Sequence, residues 1–133
     1  MWILSQAPDP QLHDSPDFHK ALKLWVPLLH QRDGTFRALK RFLNKVRYYA
    51  MLMWDVRDKS GRAKIPESIL VGYGALEECC PKALLPNAVL EKQAEVCGLS
   101  AEQLRQAEKI RTYVYNPDLK LYFDRVRQSY ETI

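Results

Sequence analysis

GTFRALKRFLNKVRYYAMLMW, Gly34 to Trp54, is the stretch whose reading decides the fold. Thr35 is placed to cap the free N–H groups of a helix start. Apolar residues then recur at Phe36, Leu39, Phe42, Leu43, Val46, Tyr49, Ala50 and Met53, the three-and-four spacing of an amphipathic helix. The other face carries Arg37, Lys40, Arg41, Lys45 and Arg47. Helical geometry puts Arg37, Arg41, Asn44, Lys45 and Tyr48 on adjacent turns, so guanidinium and ammonium groups are expected to converge without acidic neighbours. An anionic partner is expected opposite them.

Outward from this helix, the same helical pattern continues in both directions. Ser15-Pro16 is a helix start, with serine as cap and proline at the first helical position, and Phe18, Leu22, Trp25, Val26 and Leu29 supply the apolar face. Pro27 is expected to kink or divide that helix. Arg32-Asp33-Gly34-Thr35 forms the turn that makes the first two helices neighbours. The polar segment Asp58 to Lys64, with Gly61, predicts a loop. Pro66 then opens PESILVGYGALEECC, whose nearly continuous apolar residues predict a buried central helix; Gly72 and Gly74 would let another element approach closely. A strand over SILVGY is the competing reading, and Pro81 ends the segment.

NAVLEKQAEVCGL predicts a helix with Val89, Leu90, Ala94 and Val96 inward and Gly98 as its stop. Ser100-Ala101-Glu102-Gln103 has the form of a capping box before a helix carrying Leu104, Ala107, Ile110 and Val114. Asn116-Pro117 precedes the last helix, with Leu119, Leu121, Tyr122, Val126 and Tyr130 as its apolar surface. The sum is an all-α fold, an irregular bundle of about six helices: residues 1–14 as an irregular arm and residues 15–133 as one helical domain. At 133 residues, 47% apolar and 27% charged, the chain has the length and composition of one globular domain.

The net charge of +4 is unevenly distributed. Residues 1–64 hold 12 Lys/Arg against 6 Asp/Glu and residues 65–133 hold 8 against 10, so +6 and −2 make up the total. This first-half basicity implies nucleotide phosphate, nucleic acid or an acidic protein surface as partner, without choosing among them. Cys79, Cys80 and Cys97 are odd in number and lack Cys-x-x-Cys spacing, so neither a disulfide framework nor a zinc site is expected, and a reducing, cytoplasmic setting is the default. The opening MWILSQAPDP has no basic n-region, and no apolar run approaches the roughly 18 residues of a membrane span.

Chemical motifs are few. There is no G-x-x-x-x-G-K-S/T loop, and Gly72-x-Gly74 lacks the third glycine of a dinucleotide fingerprint. His13, His19 and His30 sit in no metal-ligand spacing, so no metal is expected. Glu77 and Glu78 beside Cys79 and Cys80 would raise a thiol pKa, the wrong direction for a nucleophile. No nucleophile-elbow pattern frames a serine. Tyr48, Tyr49, Trp54, Tyr113, Tyr115, Tyr122 and Tyr130 are read mostly as core or interface rather than base-stacking residues. An arginine in the first turn at position 37 opposes the helix dipole, which invites a functional explanation.

The Gly34-Thr35-Phe36-Arg37 start resembles the helical lid that follows the nucleotide-binding core of AAA-type ATPases, where a Gly-x-x-Arg turn opens a helix whose arginine reaches the nucleotide. SPDFHKALKLWVPLL, then TFRALKRFLNKVRYYAM, then IPESILVGYGAL, all between Ser15 and Leu76, resemble the C-terminal region of KAP-family P-loop NTPases. The resemblance is carried mainly by KRFLNKVRYYAM; residues 81–133 are outside it. It implies a lid closing over ATP and magnesium held by a separate core, with Arg37 as second-sensor arginine and Lys40 and Arg41 as further phosphate contacts. Phe36 stands where a proline commonly precedes that arginine, and the phosphate loop with its acidic magnesium partner is missing from this sequence. The expectation is therefore a detached C-terminal portion, not an enzyme by itself. The alternatives are a nucleic-acid-binding helical domain, with Lys45 and Arg47 joining the contacts, and a helical adaptor for an acidic protein with a groove lined by Trp25 or Trp54.

Overall fold

The computed structural model describes residues 15–131, with side chains as far as Gln128; the expected arm of residues 1–14, His13 and the side chain of Tyr130 lie outside the described residues. Six α-helices follow one another: α1 (Pro16–Arg32), α2 (Phe36–Leu52), α3 (Glu67–Cys79), α4 (Leu90–Cys97), α5 (Ala101–Val114) and α6 (Lys120–Glu131), with a 3-10 turn at Pro81–Leu84. The fold is an all-α irregular bundle. Among the described residues the only extended pairing is the isolated bridge between Arg57 and Ala63, inside the loop that joins α2 to α3.

α3 occupies the centre because it has no polar face over its middle: Ile69 to Leu76 are all buried, and such a helix must be covered all round. This removes the strand alternative for SILVGY. α1, α2, α5 and the 3-10 turn pack against it. α1 runs alongside in the same sense: the Ser15 hydroxyl donates to Glu67, the Ser68 N–H donates to the Asp17 carboxylate at 3.0 Å, and further along Trp25 covers Gly72. A Cβ on Gly74 would lie 2.7 Å from Val46 Cγ1, and one on Gly72 would collide with the end of Ile110 and meet the Trp25 indole. The two glycines are therefore where α2, α5 and α1 come closest to the central helix.

α1 begins as expected, with the Ser15 hydroxyl accepting from the Phe18 N–H at 3.1 Å. Pro27 does not divide it; the helix runs on to Arg32. Proline removes one hydrogen bond, and burial of Trp25 and Leu28 on either side holds the remainder. The Ser100–Gln103 capping box is present in both directions, at 2.8 and 3.1 Å, and the Gln103 amide also donates to the Leu24 carbonyl at 2.9 Å, tying α5 to α1.

The second half departs from expectation in detail. α4 starts at Leu90, not Asn87, and no side chain caps it. Only Leu90 and Ala94 are buried on it, while Val89 and Val96 face water, because a helix of two turns presents one narrow stripe to its neighbours. On α6, Leu121 is exposed, and Phe123 with Leu119 and Val126 enters the core instead. Asn116 caps a turn by accepting from the Asp118 N–H at 2.9 Å, and the helix proper begins at Lys120. Cys80 and Cys97 are joined as a disulfide across 17 positions, a correction to the reading in which no disulfide framework is expected. Odd count and missing Cys-x-x-Cys spacing do not exclude one bridge, and the pairing depends on α4 folding back onto the 3-10 turn. Cys79 remains a buried thiol.

Candidate functional site

The turn between α1 and α2 is built by two short side chains. The Asp33 carboxylate accepts from the Thr35 N–H at 3.1 Å, and the Thr35 hydroxyl accepts from the Ala38 N–H at 3.1 Å, which fixes where α2 starts. Hydrogen bonds from the Thr35 backbone and hydroxyl hold the Asp33 carboxyl below its ordinary range, and the charges of Arg41 and Arg32 add to this. α2 itself contains no acidic residue. At its start Phe36 is 79% exposed, so the first member of the expected apolar stripe stands in water, beside Arg37. Arg37, Lys40 and Arg41 are exposed, and none of the three makes a hydrogen bond or ion pair with a described residue. This end of the helix is a basic surface with one aromatic ring in it.

The expected convergence stops there. Lys45 is 3% exposed; its ammonium donates to the Gly74 carbonyl at 3.2 Å and to the Glu78 carboxylate at 2.7 Å, with Glu77 at 3.7 Å. The reading of Lys45 as a solvent-facing cation without acidic neighbours is overturned, and a buried ammonium cannot contact nucleic acid. The physical reason is its register, one turn after Phe42 and one before Tyr49, inside the stripe that faces α3. Arg47 is half-buried and lies two turns beyond Lys40.

A second constellation sits under Lys45, and the sequence reading did not find it. The Tyr49 hydroxyl donates to Glu77 at 2.8 Å. Tyr73, one turn before Glu77 on α3, lies 6.3 Å from the Tyr49 ring and meets Phe123 edge-on at 5.2 Å. Tyr73 and Glu77 line a cleft of about 540 Å³ between α3, the segment Pro81–Pro86, the end of α5 and α6. Burial pushes the Glu77 carboxyl above its ordinary range, partly countered by Lys45 and the Tyr49 hydroxyl. Burial and the Glu77 charge push the Tyr73 phenol up as well. The available signal was the i, i+4 pair Tyr73/Glu77 on a helix otherwise read as wholly buried. Cys79, beside these groups, is raised by burial above all, with Glu78 adding to the shift, so its thiol stays protonated at neutral pH.

The two tryptophans separate. Trp25 is buried in the core and also lines a cavity of about 470 Å³ between α1, α5 and Ser68, whereas Trp54 is partly exposed, lines a cavity of about 350 Å³ beside the loop that joins α2 to α3, and stacks under Arg57 at 3.9 Å. His19 and His30 are exposed, and among the described residues no group of His, Cys, Asp or Glu has the arrangement to hold a metal ion. Among the same residues no helix is long and apolar enough to cross a membrane. Comparison with protein-family models, with characterised proteins and with solved structures finds no match to this chain.

Proposed function

We propose that this chain is the helical lid or regulatory portion of a P-loop NTPase of the KAP kind, without catalytic activity of its own, and that the α2 start engages nucleotide held by a separate core. The observation that carries the proposal is Phe36 standing 79% exposed next to an Arg37 that has no partner among the described residues. An aromatic ring in water beside an unneutralised guanidinium is a surface that a protein core with a bound polyphosphate would cover. Arg37 would stabilise charge on the transferring phosphoryl group, and Lys40 and Arg41 would contact the outer phosphate oxygens. ATP and magnesium would come with the core. The resemblance of Ser15 to Leu76 to the KAP C-terminal region supports the same reading.

Two experiments test it. A photoreactive residue replacing Phe36 should crosslink to a polypeptide that carries a phosphate loop; a crosslinked protein without one overturns the lid reading. In the reconstituted pair, Arg37→Ala should lower ATP turnover on the order of 100-fold, the loss typical of one transition-state donor. The rival is a basic nucleic-acid-binding surface formed by Arg37, Lys40, Arg41 and Arg47. Titration of the purified chain with a DNA duplex at low and high salt decides it, because phosphate binding falls steeply with salt. Salt-sensitive binding that Arg37→Ala and Lys40→Ala weaken would replace the lid by that rival.

A further inference from the structure

The geometry points to a binding site for an organic ammonium group, primary or methylated, carried on an apolar body, in the cleft floored by Tyr73 and Glu77. The cleft, about 540 Å³, is within the range of small-ligand sites. Its walls are largely apolar, with Leu84, Leu85, Val114 and Phe123 among them. The wall formed by residues 84–88 is held from behind. Arg111 donates to the carbonyls of Ala88 at 3.0 Å, Leu85 at 3.1 Å and Pro86 at 2.7 Å, and the Tyr115 hydroxyl donates to the Leu84 carbonyl. A loop tied at four carbonyls is a built wall, not a gap between elements.

The floor is polar and incompletely satisfied. Tyr73 is 3% exposed and its hydroxyl makes no hydrogen bond to a described residue. The hydroxyl oxygen is not sealed in protein but opens to the cleft that Tyr73 lines, so it is available to a ligand. Glu77 shares Lys45 with Glu78, and the ammonium favours Glu78, 2.7 Å against 3.7 Å. Of the cations lining the cleft, Arg127 is paired with Asp124 at 2.7 Å and Lys120 is exposed to water. Glu77 and Glu78 share one ammonium, so the pair keeps net negative charge, and Glu77, which also accepts from the Tyr49 hydroxyl, lines the cleft together with Tyr73, Tyr115 and Phe123. Carboxylate and aromatic faces together favour an ammonium head over a neutral or anionic one. A bound cation would also relieve the burial that disfavours charge on Glu77.

The source can be a free amine or a lysine side chain of another polypeptide, and the test separates them. The purified chain is titrated with phenethylammonium, a capped Ala-Lys-Ala peptide, 2-phenylethanol and 3-phenylpropionate while the Tyr73 and Phe123 ring resonances are followed. One or both ammonium probes should bind and shift these signals, and whichever binds identifies the source. Glu77→Gln should weaken binding by about tenfold or more, Tyr73→Phe severalfold, and Leu85→Trp should block the cleft while leaving Glu77 in place. Circular dichroism checks that each variant is folded. Equal binding of the alcohol or the carboxylate, no ammonium binding up to about 10 mM, or binding that survives in folded Glu77→Gln overturns the site.

Discussion

Lys40 and Lys45 belong to the same helix and the same basic composition, yet one points into water and the other donates to Gly74 and Glu78 inside the bundle. The difference is rotation: five steps along an α-helix turn a side chain by about 140°, enough to carry it from the solvent face to the edge of the core stripe. α2 consequently has two jobs along its length. Its middle is an anchor, where Phe42, Val46 and Tyr49 pack on α3 and Lys45 fastens to the carboxylates at the end of that helix. Its start is a display end, where Phe36, Arg37, Lys40 and Arg41 lie outside the packing. A cationic residue contributes to stability at the first place and is available to a partner at the second.

The largest effect is expected where this distinction is removed at the anchor. Lys45→Met should cost about 3 kcal/mol in urea unfolding, because Glu77 and Glu78 lose their shared partner in a partly buried setting. A loss no greater than that of a surface lysine would show that water screens the pair. Next comes Gly74→Ala. Alanine is the better helix former, but its methyl would press on Val46 Cγ1, so about 1–3 kcal/mol should be lost overall. Adding Val46→Ala should then cost less than it does in the parent chain, since the pair shares one contact.

A smaller effect concerns Glu77, whose carboxyl is raised by burial from an ordinary value of 4.5. A raised acid contributes its stability below the ordinary value and loses it as the pH climbs through the raised one. The stability of the parent chain relative to Glu77→Gln should therefore decline from pH 4 toward neutral, as read from unfolding midpoints across pH. The opposite slope would mean that Lys45 and Tyr49 outweigh burial. The smallest effect belongs to the display end: Arg37→Ala and Lys40→Met should each change stability by less than about 0.5 kcal/mol. A larger loss from either would mean that this end is part of the fold rather than offered to a partner.

How far the sequence was readable follows the range of the interactions involved. Caps are local, and Ser15, Thr35 and Ser100 start their helices as their side-chain chemistry implies. The central position of α3 was legible because a helix apolar on every side has one place to go. Of the candidate site, the exposed Arg37, Lys40 and Arg41 followed from the amphipathic pattern. Lys45 did not, since pattern alone favours lysine in water and the compensating carboxylates lie on another helix. The cleft was illegible for the same reason: Tyr73, Leu85 and Phe123 come from three separate segments.

The chain's own pattern of apolar spacing, capping residues and glycines determined the helices, their order and the basic face of α2, because each of these depends on neighbours within a few residues. Tertiary structure alone decided which cation is buried, which cysteines are joined and where the cleft opens. Those outcomes depend on groups far apart in sequence, whose desolvation is settled only when helices pack.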